Sequence, residues 1–194
     1  MGTTETMTSP IRQKLVDDAV FAVFLLVFAE SMLFAGLISA FQIVKNSVTG
    51  GIWPPPGQPR LPVEATGLNT LALLASGVFL VLAWRAFQSD GAAAARRRFE
   101  IGAGLGALFV IVQGAEWVTM LAQGLTITSS QLGGFFYLIV GCHALHALAG
   151  LAALAWVYRG LRDGTVRSGA VAAATVFWGF VVLMWPPLYL QVYL

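Results

Sequence analysis

The chain has 194 residues, of which 58% are hydrophobic and only 10% charged, with a formal net charge of +2; its mean hydropathy is +0.79. Soluble domains run at roughly 45–50% apolar and about 25% charged, so this composition argues against a soluble fold and for a chain dissolved in lipid. It offers no basic face or aromatic-interleaved groove for nucleic acid. The single cysteine, Cys142, rules out an intrachain disulfide, a CxxCH haem attachment and a cysteine-paired copper centre; in an apolar run it reads as a small buried hydrophobe.

Residues 1–16 are polar and are expected to form a cytoplasmic N-terminus, followed by one membrane domain over 17–194. A bilayer core of about 30 Å takes about 20 helical residues to cross. Five apolar runs are long enough, at roughly 18–44, 67–87, 99–122, 132–157 and 169–190. The first is too long for a signal-peptide core and lacks a small-residue cleavage site, so it reads as an uncleaved span. Backbone groups in lipid must be satisfied internally, which makes each run a helix. The expected fold is therefore all-α, a polytopic bundle of five transmembrane helices.

The connections differ in character. Segment 46–66 holds five of the eight prolines, beginning at Trp53-Pro54-Pro55-Pro56, and reads as a stiff surface loop. Segment 88–98 contains an alanine run and Arg96-Arg97-Arg98, segment 123–131 is uncharged, and segment 158–168 carries Arg159, Arg162 and Arg167. With five spans, nine of the eleven Lys and Arg residues fall on one side; only Lys45 and Arg60 fall on the other. The positive-inside rule then predicts the N-terminus inside, with the C-terminus and the proline-rich loop outside. No inverted repeat is visible: five spans do not halve, and the Pro186-Pro187 pair in the last span has no counterpart.

Few residues can carry chemistry. Glu30 sits near the middle of the first span, where an isolated ionised side chain costs at least ~2.5–3.5 kcal/mol, so it must be protonated, paired or facing protein or water. It reads either as a proton-handling or lipid-contacting carboxyl, or as a buried hydrogen bond joining helices. Glu116 lies nearer the outer end of the third span, with Gln113 one turn earlier on the same side. His143 and His146, the only histidines, share one flank of the fourth span. They are expected to bond a carboxyl or a backbone carbonyl within the bundle; a metal site would need carboxylates from other spans. Asn69, Thr70 and Ser76 can hydrogen-bond between helices for about 0.6 kcal/mol each. Gly102, Gly104 and Gly106 follow no strand and read as helix-packing positions. No nucleophilic triad, thiolate pair or phosphate cradle is present, so no autonomous catalysis is expected; chemistry alone leaves a membrane subunit or a small transporter.

At these residues the chain resembles subunit III of the haem–copper terminal oxidases, the cytochrome c oxidase subunit III family. The stretch Phe28-Ala29-Glu30-Ser31-Met32-Leu33-Phe34 resembles the family's glutamate-bearing helix, and Trp53-Pro54-Pro55 its outer-loop WPP. Asn69-Thr70 with Leu73-Leu74-Ala75-Ser76-Gly77 is similar to its NTxxLLxSG, and Gln113-Gly114-Ala115-Glu116 to its Q-small-small-E. Phe135-Phe136 with Gly141-Cys142-His143-Ala144-Leu145-His146 resembles FF…GxHxxH, and Trp178-Gly179-Phe180 with Trp185 and Tyr193 the closing WHF…W…Y.

The resemblance covers 20–194 and implies an accessory, non-redox subunit in the bacterial inner membrane. Such a subunit packs on catalytic subunit I, with subunit II in the same complex, and supports proton uptake. Haem and copper would then lie in the partner subunits and none in this chain, with phospholipid as a candidate ligand. The same fold also suits an accessory subunit of a nitric-oxide-reductase-type complex; a stand-alone proton or solute transporter is the alternative from another class. The chain departs from the family in several places. It corresponds to the short members that begin at the family's third helix, and the two missing helices help form the family's lipid cleft. Gly179 and Val182 stand where many members have histidine and aspartate, and Pro186-Pro187 is expected to kink or end the last helix by freeing the carbonyls of Val182 and Leu183.

Overall fold

The computed structural model describes residues 17–47 and 61–193. Within them lie five helices: α1 (Asp18–Ser47), α2 (Val63–Asp90), α3 (Ala92–Ala122), α4 (Gln131–Asp163) and α5 (Ser168–Val192). All five are long and apolar enough to cross a membrane. Trp53, Pro54 and Pro55 lie outside the described residues.

The helices outrun the hydropathy boundaries at several ends. The segment expected to be a loop at 88–98 is helical except at Gly91, whose φ of 83° only glycine adopts without strain. Its N–H still bonds Phe87 O at 3.1 Å, closing α2. The alanines that follow are the best helix formers, so α3 restarts at once and carries Arg96, Arg97 and Arg98 on its first turns. In the same way α4 continues past 157 to Asp163, where Gly164 in the left-handed region ends it. At the other end of α4, Ser130 caps the helix by accepting from the Gly133 N–H at 3.0 Å.

Pro186-Pro187 does not end α5, contrary to the alternative that it would stop the helix. Two main-chain bonds are lost there, yet the helix runs on to Val192. Packing holds it: Trp185 and Leu188 are fully buried and Val192 is nearly so.

Helix α5 is the centre of the bundle. It packs against α1, α2 and α4, while α2 pairs extensively with α3, and α3 closes on α4. Its span is also the most buried of the five, and that of α1 the least. Small residues set the close approaches. A Cβ at Gly102 would come within 2.8 Å of Leu80, and one at Gly77 within 3.1 Å of Val182. Gly106 and Gly150 flank the two edges of the Trp178 ring. Of the four glycines on α3, Gly104 and Gly114 face open space, whereas Gly102 and Gly106 are packed against neighbouring helices. The core is aromatic, with Trp178, Trp185, Phe34, Phe41, Phe99 and Phe136 fully buried. The outer surface carries Phe28, Leu68, Ile111, Leu145 and Leu183, as lipid contact requires.

Candidate functional site

The buried polar groups gather in three places, each joining helices far apart in sequence. The first joins α1 to α4. His146 Nε2 lies 3.1 Å from Glu30 Oε2, with side-chain exposures of 16% and 23%. The other ring nitrogen, Nδ1, is 2.8 Å from Cys142 O on its own helix. A carbonyl oxygen only accepts, so Nδ1 carries a proton. Nε2 faces the carboxyl at contact distance without hydrogen-bond geometry, and Glu30 Oε2 has no hydrogen-bond partner among the described residues. The contact turns both ionisable groups toward protein and away from lipid. Phe34 packs edge-on against His146 at 5.5 Å and Phe180 does so at 5.8 Å, giving the pair an apolar wall.

His143 behaves differently, although the two histidines share a flank. Its ring stacks on Trp185 at 5.2 Å with 30° between planes, and it is 2% exposed. Neither of its nitrogens has a hydrogen-bond partner among the described residues. The expectation that both histidines bond a carboxyl or carbonyl therefore applies to His146 alone. The i, i+3 spacing places both rings on one side of α4, but the position of α1 selects which one meets Glu30.

The second cluster lies toward one end of the bundle, where α2 begins and α3 ends. Glu116 Oε2 accepts from Thr66 Oγ1 at 2.7 Å and from Gln113 Nε2 at 2.8 Å. Gln113 Nε2 also reaches Tyr193 OH at 3.1 Å. Helices α2 and α3 and the end of α5 thus meet at one carboxyl. Sequence spacing does not reveal Thr66 or Tyr193 as partners of this carboxyl: Thr66 lies in the proline-rich segment 46–66, and Tyr193 follows the last helix.

The third set lies on one face of α2. Asn69 Nδ2 donates to Phe109 O at 3.0 Å, and Ser76 Oγ donates to Gly102 O at 2.7 Å. Thr70 Oγ1 donates to Thr66 O at 2.7 Å. The same hydroxyls accept from α5: Trp178 Nε1 reaches Ser76 Oγ at 2.9 Å, and Trp185 Nε1 reaches Thr70 Oγ1 at 2.8 Å. The N–H groups of these two tryptophans, costly if left unpaired in a dry core, are satisfied by hydroxyls one helix away, whereas those of Trp84 and Trp117 have no partner among the described residues. Two tryptophans seven residues apart, hence on one helix face, were the available sign of this arrangement. Gln42 and Gln191 add a side-chain bond between α1 and α5.

No three of His, Cys, Asp or Glu come together to hold a metal ion among the described residues. At the α4–α5 turn, a cavity of about 470 Å³ is lined by Trp156, Arg159, Asp163 and Arg167. It shares Trp156 and Ala170 with an apolar groove of about 380 Å³ between α1, α4 and α5.

The family model described as cytochrome c oxidase subunit III matches residues 4–194. The chain is similar to cytochrome c oxidase subunit 3 of Synechocystis sp., 32% identical over 183 residues, which cover 92% of this chain and 76% of that protein. It is also similar to the probable cytochrome c oxidase subunit 3 of Mycobacterium tuberculosis, 32% identical over 170 residues, covering 85% and 82% respectively. The cytochrome c oxidase subunit 3 of Corynebacterium diphtheriae is 31% identical over 168 residues, covering 84% and 82%. With five helices of membrane-spanning length and a match over nearly its whole length, the chain belongs to the cytochrome c oxidase subunit III family.

Proposed function

We propose that this chain is an accessory subunit of a haem–copper terminal oxidase, packing laterally against catalytic subunit I, with subunit II in the same complex. The match of the family model over 4–194 carries the reading. In this arrangement haem and copper belong to the partner subunits. This chain contributes a helical bundle that holds its few ionisable groups inside, so it stabilises its neighbour and supports proton uptake without carrying electrons. Glu30, Glu116, His143 and His146 are its internal polar elements, with Asn69, Thr70, Ser76 and Gln113 joining its helices. The exposed face of α1, with Phe21, Phe24, Phe28 and Met32, offers the partner a large, mainly aromatic surface.

The chain sits in the bacterial inner membrane as a single domain over 17–194, with residues 1–16 and the arginine-rich turns cytoplasmic and the proline-rich loop outside. Phospholipid belongs to the same reading. The cavity at Arg159 and Arg167 suits a phosphate, and the groove it joins between α1, α4 and α5 suits an acyl chain.

The test is to purify the tagged full-length chain from its native membrane in mild detergent. Mass spectrometry and reduced-minus-oxidised spectra of the preparation then identify its partners. A haem–copper subunit I is the expected companion. A chain that purifies without any haem-bearing protein, or with a nitric-oxide-reductase-type subunit instead, would overturn the reading.

A further inference from the structure

Two cavities lie end to end along the seam between α3 and α4. One, of about 450 Å³, starts at Glu100 and Tyr158 and passes Gly104 and Ala107. The other, of about 190 Å³, continues from Val110 toward Trp117. They line successive turns of one trough, walled by apolar side chains and small residues, with Gln113 and His143 at its far end.

Its mouth is charged in a specific way. Arg96 Nε donates to Glu100 Oε1 at 3.0 Å, and Tyr158 OH donates to the same oxygen at 2.8 Å. Both bonds converge on Oε1, so Oε2 receives no hydrogen bond from any described residue. The two side chains are 50% and 42% exposed. A guanidinium has five N–H donors, and Arg96 commits Nε to Glu100. One positive and one negative group therefore stand side by side where the trough opens, at the arginine-rich end of the bundle.

We propose that this trough binds a phospholipid of the phosphatidylethanolamine class, with its ammonium on Glu100, its phosphate on Arg96 and one acyl chain in the seam. The headgroup chemistry selects the class. A phosphate without an amine would face the Glu100 carboxylate as a like charge. A quaternary choline amine has no N–H to donate to Oε2. A primary ammonium has three donors, and the adjacent phosphate matches the guanidinium. The length agrees as well. Half of a bilayer core of about 30 Å is about 15 Å, the rise of about ten helical residues, which takes a chain from Glu100 to Val110 at the start of the second cavity. The site needs only the helical bundle, so it stands or falls independently of the oxidase partner.

The experiment places the purified full-length chain in nanodiscs of equal phosphatidylethanolamine, phosphatidylcholine and phosphatidylglycerol, and counts retained lipids by native mass spectrometry. Phosphatidylethanolamine is expected to be enriched about tenfold over phosphatidylcholine, the effect of one charge-assisted hydrogen bond. Glu100→Gln should abolish that enrichment and move retention toward phosphatidylglycerol, because Arg96 remains. Gly104→Leu should remove the bound lipid by filling the trough. A Cβ there meets nothing within 4 Å, so the fold should survive, as a melting curve would show. Retention in the bilayer's own proportions would overturn the proposal, and so would phosphatidylethanolamine enrichment unchanged by either variant. A single-span polypeptide seated on this seam would also overturn it.

Discussion

Gly104 and Gly106 lie two residues apart on α3 in opposite surroundings, and replacing each by alanine separates packing from helix propensity. A Cβ at Gly106 would collide with the Trp178 ring and come within 3.1 Å of Ser76 Oγ, whereas one at Gly104 meets nothing within 4 Å. The indole has little freedom to retreat. It is fully buried, its N–H is tied to Ser76 at 2.9 Å, and a Cβ at Gly150 on the far side would already lie 2.8 Å from its Cε3. Glycine to alanine within a helix contributes about 1 kcal/mol of propensity at either site, so that gain cancels between the two variants. What remains is overpacking, typically about 1–3 kcal/mol. Gly106→Ala is therefore expected to unfold more easily than Gly104→Ala by about 1–3 kcal/mol, with Gly104→Ala at or above wild type. Reversible unfolding of the purified protein in mixed micelles, followed by tryptophan fluorescence against SDS mole fraction, measures the difference. Equal midpoints for the two variants would refute the placement of Trp178 between α3 and α4.

Other substitutions test the polar interior. Glu30→Ala leaves His146 Nε2 without its carboxyl and should cost about 1–3 kcal/mol, lowering the yield of intact complex while leaving the haem spectra of the partner unchanged; a yield equal to wild type would show the pair to be dispensable. His143→Phe keeps a ring against Trp185 and removes two nitrogens with no partner among the described residues, so melting at or above the wild-type temperature is expected, and a fall of several degrees would mean that those nitrogens are bonded in the membrane. For orientation, in a Cys142→Ala background a cysteine at Gly124 should react with an impermeant maleimide from outside intact cells and one at Thr165 should not; the reverse pattern would invert the topology.

The number and rough positions of the helices were legible because bilayer thickness sets the length of an apolar run. Their ends were not, since hydropathy marks where lipid stops and not where main-chain hydrogen bonding stops. Thus Arg96–Arg98 lie on α3, and Arg159 and Arg162 on α4, although both stretches read as connections. Pro186-Pro187 misled in the same direction: local chemistry argues for a stop, and burial of Trp185 and Leu188 carries the helix through. Within the site, Gln113 beside Glu116 followed from spacing on one helix. The partners supplied by other helices, Thr66 and Tyr193 at Glu116 and Ser76 and Thr70 at the two indoles, depend on how the helices are rotated about their axes, which one-dimensional patterns do not encode.

The placement of α5 at the centre has a consequence for biogenesis. Of the five helices it is the last to leave the ribosome, yet α1, α2 and α4 all lean on it. Until it arrives, Ser76 and Thr70 have no indole to receive, and α1 has little to rest against. Before then α2 can pair with α3 and α3 can close on α4, but the partners of the two indoles wait, so the bundle completes only in its last step. Damage near the C-terminal end should be felt through the entire bundle, whereas changes near the start of α1 should stay local.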